Sequence, residues 1–106
     1  MLTRPNRHTK PRAAVTQDLL VFECPGCGFL HGPRVVGSRD DGKPLWKWNR
    51  STDRPTLDPS VIVRWTNERG DRVCHFFLRA GMVEFQDDST HDLRGQTHDL
   101  PPFVWN

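Results

Sequence analysis

Short apolar runs bounded by turn residues recur through the second half of this chain. Val61-Ile62-Val63-Arg64-Trp65 is one strand-like run and Arg72-Val73-Cys74-His75-Phe76-Phe77-Leu78 a second. Thr66 to Asp71 carries Asn67 and Gly70 and predicts a hairpin turn between them. Ala80-Gly81 predicts another turn and Met82-Val83-Glu84-Phe85 a third strand, so residues 60–85 are expected to form a three-stranded antiparallel meander. Upstream, Leu19-Leu20-Val21-Phe22-Glu23 and Arg34-Val35-Val36 read as short strands. In Leu45-Trp46-Lys47-Trp48-Asn49 the alternation puts both tryptophans on one face, as core. Residues 37–44 predict a turn, and 50–59 a polar loop in which Pro55 and Pro59 lead to Ser60. Pro101 to Trp105 reads as an extended end that packs its aromatics back on the sheet, and no stretch has helical periodicity. The expected fold is all-β: a small twisted antiparallel sheet or sandwich of about six short strands, with little or no helix.

Composition sharpens this picture. At 106 residues the chain has room for one domain, and 35% hydrophobic residues make a thin core. A crosslink would therefore help it. Residues 1–17 hold Arg4, Arg7, Lys10 and Arg12, no acid and no periodic pattern, and are expected to be a flexible basic tail preceding a single zinc-binding β domain over 18–106. Taking those four from the 15 Lys and Arg leaves 11 against 13 Asp and Glu, so the body is slightly acidic and a nucleic-acid surface is disfavoured. No apolar run is long enough to span a membrane and no secretory signal is evident, so a cytoplasmic location is expected.

Three cysteines without a signal peptide favour metal ligation over a disulfide framework. Cys24-Pro25-Gly26-Cys27-Gly28 is a knuckle whose two sulfurs point to one spot, which is half of a structural zinc site. Cys74 and His75 offer the second half, but neighbours on a strand face opposite ways, so only one of them can serve. The expected ligands are Cys24, Cys27 and Cys74, with His91 or His31 as the fourth. A redox Cys-X-X-Cys is the main competitor and lacks βαβ surroundings.

Cys24-Pro25-Gly26-Cys27-Gly28, Trp48, Pro55-Thr56, Pro59-Ser60, Cys74-His75-Phe76-Phe77, Gly81, Asp88, His91 and Gly95 together resemble a family of small phage and prophage proteins of unassigned function. That family is distantly similar to the predicted peptidase component of bacterial ubiquitin-like conjugation operons. The resemblance covers roughly residues 20–105. It implies a catalytic Ser/His pair, Ser60 and His75, and a host protein or ubiquitin-like protein as partner. Many relatives have a cysteine where this chain has Ser89, which puts the weight of the fourth ligand on His91 or His31.

Serine needs a base to remove its proton and a third group to orient that base. With a turn near residues 67–70, Ser60 pairs near residue 77 or 78, close to His75, and Asp58 or Asp88 is available as the orienting carboxylate. No Gly-x-Ser-x-Gly elbow and no His-Glu-x-x-His is present. Two functions stay open: a peptidase acting through Ser60 and His75 with structural zinc, and a non-enzymatic zinc-ribbon-like module that binds a host protein.

Overall fold

The structure, a computed structural model, describes residues 11–103 except the side chain of Arg39. Among the described residues, nine strands form three antiparallel sheets. The first sheet joins β1 (Ala14–Thr16), β2 (Leu19–Glu23) and β3 (Leu30–His31). A two-stranded ribbon pairs β4 (Lys47–Trp48) with β5 (Leu57–Asp58). The largest sheet runs β6 (Val61–Asn67), β7 (Gly70–Arg79), β8 (Met82–Phe85) and β9 (Thr97–Asp99) in that order. The only helical turn among the described residues is a 3-10 turn at Arg39–Asp41, and no helix is long and apolar enough to cross a membrane.

Alternation decides which side chains go inside. On β7, Cys74, Phe76 and Leu78 are buried, and on β2, Leu20 and Phe22. The two inner faces meet at Phe22 and Phe76, whose rings make an edge contact with centroids 5.9 Å apart; Phe85 meets Phe76 in the same way at 6.2 Å. Full burial of each such ring stabilises the fold by roughly 1.5–3 kcal/mol. Trp46 and Trp48 pack against this core, as their shared face implied. Each also donates its indole N–H to a backbone carbonyl, Trp46 to Ser60 at 3.1 Å and Trp48 to Ser51 at 3.0 Å.

The expected meander is present and gains β9 as a fourth strand. Two expectations about the first third of the chain need correction. Residues 11–17 are not tail: Ala13 is buried, and β1 pairs with β2 through Ala14↔Val21 to Thr16↔Leu19. The basic positions Arg4, Arg7 and Lys10 lie outside the described residues. The strand after the knuckle is Leu30–His31, whereas Arg34 makes only a single bridge to Leu19. At the far end, Val104 and Trp105 lie outside the described residues, and Phe103 donates its N–H to the Pro11 carbonyl at 2.8 Å.

The register of the β6–β7 hairpin positions the chemistry. Val61 pairs with Phe76 and Ile62 with His75. One step earlier, Ser60 lies opposite Phe77, so His75 is its diagonal neighbour on the outward face, within reach of an imidazole. Beyond β8 the chain continues along β7 as a loop pegged to its backbone. Gln86 N–H bonds the His75 carbonyl at 2.8 Å, and Thr90 N–H bonds the Val73 carbonyl at 2.9 Å. The Ser89 hydroxyl accepts the His75 N–H at 3.0 Å and donates to the His75 carbonyl at 3.1 Å. The Thr90 hydroxyl does the same for Val73, at 3.0 and 3.2 Å. Two side-chain hydroxyls thus stand in for a missing stretch of strand and satisfy backbone groups that would otherwise lack partners.

Candidate active site and metal centre

On the outward face of β7, three side chains form one hydrogen-bonded chain. Ser60 Oγ lies 3.1 Å from His75 Nε2, and His75 Nδ1 lies 3.0 and 3.1 Å from the two oxygens of Asp88. Each comes from a different element. The β4–β5 ribbon and Pro59 deliver Ser60, whose carbonyl is held by the Trp46 indole. β7 presents His75, and the pegged loop presents Asp88. The His75 side chain is 25% exposed and that of Asp88 56%, so the chain is open to a ligand. An imidazole with a carboxylate on Nδ1 keeps its proton there and turns a basic Nε2 to the hydroxyl, which can then take the hydroxyl proton.

Ser60 and His75, named from sequence, are therefore brought together. Of the two carboxylates considered, Asp88 is the one at the imidazole; Asp58 is exposed on β5 opposite Lys47. The roles of Ser89 and Thr90 were missed, because a polar stretch reads as plain loop until its hydroxyls are seen on the β7 backbone.

On the inward face of the same strand, Cys74 joins Cys24, Cys27 and His91. The four candidate ligand atoms lie within 4.8 Å of one another. Cys24 and Cys74 sulfurs are 3.8 Å apart, and Cys74 Sγ is 3.4 Å from His91 Nε2. The Cys27 N–H points at Cys24 Sγ at 3.4 Å, the knuckle contact expected of Cys-X2-Cys. Leu93 N–H meets His91 Nδ1 at 3.2 Å and sets the ring's orientation. The knuckle must be glycine at Gly26, where a Cβ would collide with the His91 ring.

All four groups of the cluster are displaced from their ordinary titration by one another and by burial. Bonding from the Cys27 thiol, and next from Cys74, holds Cys24 far below an ordinary thiol as the thiolate. The same bond to Cys24 pushes Cys27 up to about 12 and drives Cys74 upward as well. Burial lowers His91, which favours the neutral ring that a metal needs. The thiols must give up their protons, and the imidazole must be neutral, to ligate a divalent ion. The four residues fit a metal ion in donor type, number and convergence.

His31, the alternative fourth ligand, stays outside this group. It is buried and stacks on Phe76 with centroids 5.6 Å apart. Its Nε2 has no hydrogen-bond partner among the described residues.

A small β domain with a Cys3His metal-type cluster on one side of a strand and a Ser-His-Asp chain on the other has the site chemistry of a serine hydrolase. A family model described as the bacterial ubiquitination-like system serine protease (BubE) matches residues 3–86, and the chain belongs to that family. The matched stretch contains Ser60, His75 and all three cysteines and ends before Asp88 and His91. No curated protein and no solved structure matches the chain.

Proposed function

We propose that the protein is a serine-type peptidase that cleaves ubiquitin-like conjugates. Ser60 is the nucleophile, His75 the general base and Asp88 the orienting carboxylate. The observation that carries this reading is the unbroken Ser60–His75–Asp88 chain, with both imidazole nitrogens engaged at 3.0–3.1 Å. As Ser60 Oγ attacks the scissile carbonyl, its proton passes to His75 Nε2. Asp88 stabilises the imidazolium through Nδ1–H. His75 then gives that proton to the departing amine, leaving an acyl-Ser60 ester. Water, deprotonated by the same imidazole, hydrolyses the ester and restores the serine.

The ion in the Cys24, Cys27, Cys74 and His91 cluster is read as structural zinc. With metal–sulfur bonds of about 2.3 Å, a tetrahedron has sulfur–sulfur edges of about 3.8 Å, the separation found between Cys24 and Cys74. Four protein donors complete the shell, and the Ser60 chain lies on the opposite face of β7, so zinc is assigned no part in the bond cleavage. The setting is taken to be the host cytoplasm with a phage or prophage gene, as the sequence resemblance implies, and a host protein as the conjugate.

The test is labelling by a fluorophosphonate probe together with cleavage of ubiquitin-like fusions. Wild type is expected to do both. Ser60→Ala should lose the label and at least about 10³-fold in kcat/KM while remaining folded. A folded wild type inert to probe and fusions would leave a zinc-stabilised binding module instead.

A further inference from the structure

β6 is the outer strand of its sheet, and the hydrogen-bond pattern fixes which of its backbone groups are free. The Val73 and His75 backbones point away from β6, since their N–H and C=O groups bond the pegged loop. Antiparallel pairs alternate between bonded and non-bonded. The pairs Ile62↔His75 and Arg64↔Val73 are therefore the non-bonded ones, and Ile62 and Arg64 turn their N–H and C=O groups outward. Ser60 belongs to the same set, and its carbonyl, bonded by the Trp46 indole, confirms the direction. Among the described residues no strand pairs with this edge.

The free edge does not face a flat surface. It forms one wall of a groove of about 490 Å³ whose other lining includes Leu19, Leu30, Pro33, Pro44 and Trp46. Two large apolar side chains on its rim are conspicuously uncovered, Leu30 at 55% and Ile62 at 41% exposed. Two of the lining residues adjoin the catalytic chain: Ile62 sits opposite His75, and the Trp46 indole bonds the Ser60 carbonyl.

We propose that this groove binds the acyl side of the substrate, as an extended, apolar peptide segment that adds to β6 as a further strand. This rests on the peptidase reading and names what that site selects. The acyl side is chosen on chemical grounds. In a conjugate the amine side is whatever lysine was modified, so the constant feature available for recognition is the tail that becomes the acyl-Ser60 ester. Pairing with Ile62 and Arg64 supplies main-chain hydrogen bonds, and the apolar walls select alternate side chains. From Val61 to Arg64 the edge spans roughly 10 Å, enough for about three residues of an added strand.

The experiment uses two fluorogenic peptide amides, one with leucine at alternate positions of the acyl segment and one with aspartate in their place. Both are tested on wild type and on Leu30→Asp, with fluorophosphonate labelling as the control. Wild type should prefer the leucine peptide at least tenfold in kcat/KM, chiefly through KM. Leu30→Asp should lose most of that preference with labelling of Ser60 unchanged. Ile62→Gln serves as a second variant should Leu30→Asp fail to fold. A labelled wild type that cleaves both peptides equally, or a folded variant that keeps the preference, overturns the groove alone. A wild type that neither labels nor cleaves overturns the peptidase reading and the groove with it.

Discussion

Cys74 and His75 are adjacent in the chain and could hardly be more differently placed. Cys74 is fully buried on the inner face of β7, in a cluster with two other sulfurs and an imidazole. His75 is partly open on the outer face, between a hydroxyl and a carboxylate. The loop after β8 repeats the division. Asp88 points to the outer group and His91 to the inner one, with Ser89 and Thr90 pegging the backbone between them. One strand and one loop thus supply both sites, and the period of two keeps them apart. The inner site holds fixed the two elements on which the outer site is built. Its groups should therefore govern stability, and those of the outer site activity.

The sharpest way to break this division is to deny the inner site a metal ion. Metal binding to such a site is folding free energy, so chelation or Cys74→Ser should cost more than about 5 kcal/mol, while Ser60→Ala should cost no more than about 1. Thermal unfolding of the three samples makes the comparison. Melting that is indifferent to chelator would remove the staple. Acid should act in the same direction on the metal-free protein. Burial holds His91 below its ordinary 6.5, so the unfolded chain binds a proton that the folded chain refuses. Stability then falls as the pH drops through about 6.5, and the loss is complete below the folded value.

Asp88→Asn tests the other half. The amide can still bond the imidazole but cannot balance its positive charge, so kcat should fall about 10²-fold with melting unchanged. The loss is put well short of the roughly 10⁴-fold known for a buried triad aspartate, because Asp88 is 56% exposed and water partly replaces it. A melting change as large as that of Cys74→Ser would show that the outer chain is structural after all.

Where a strand was long, the sequence could be read towards the site. The run from Arg72 to Leu78 puts Cys74 and His75 on opposite faces, and the Asn67–Gly70 turn brings Ser60 to residue 77 or 78; the observed register is 77, which makes Ser60 and His75 diagonal neighbours. Short elements resisted. A two-residue strand such as Leu30–His31 has no period to detect, and Ala14–Thr16 is too small and polar to stand out from the basic residues before it. His91 is the expected fourth ligand with His31 as its alternative, and no period in the sequence separates the two. Only the pegged loop, made by hydroxyl-to-backbone bonds with no sequence period, brings His91 to Cys74. The same bonds select Asp88 over Asp58.

Ser89→Ala gives the smallest of these effects and the most pointed, since Ser89 sits between the two sites. Its hydroxyl is buried and makes two bonds to the backbone of His75. Removing it leaves the partly buried His75 N–H without its partner, at a cost of about 1 kcal/mol. In a domain of this size each kcal/mol lowers the melting temperature by roughly 4–8 °C. Because the neighbouring Asp88 loses its anchor, kcat should fall too, though by less than in Asp88→Asn. If melting drops and kcat does not, then Asp88 is placed by its own contact with His75 and the two faces of β7 are more independent than the shared loop implies. A fall in both would tie the staple to the chemistry through one hydroxyl.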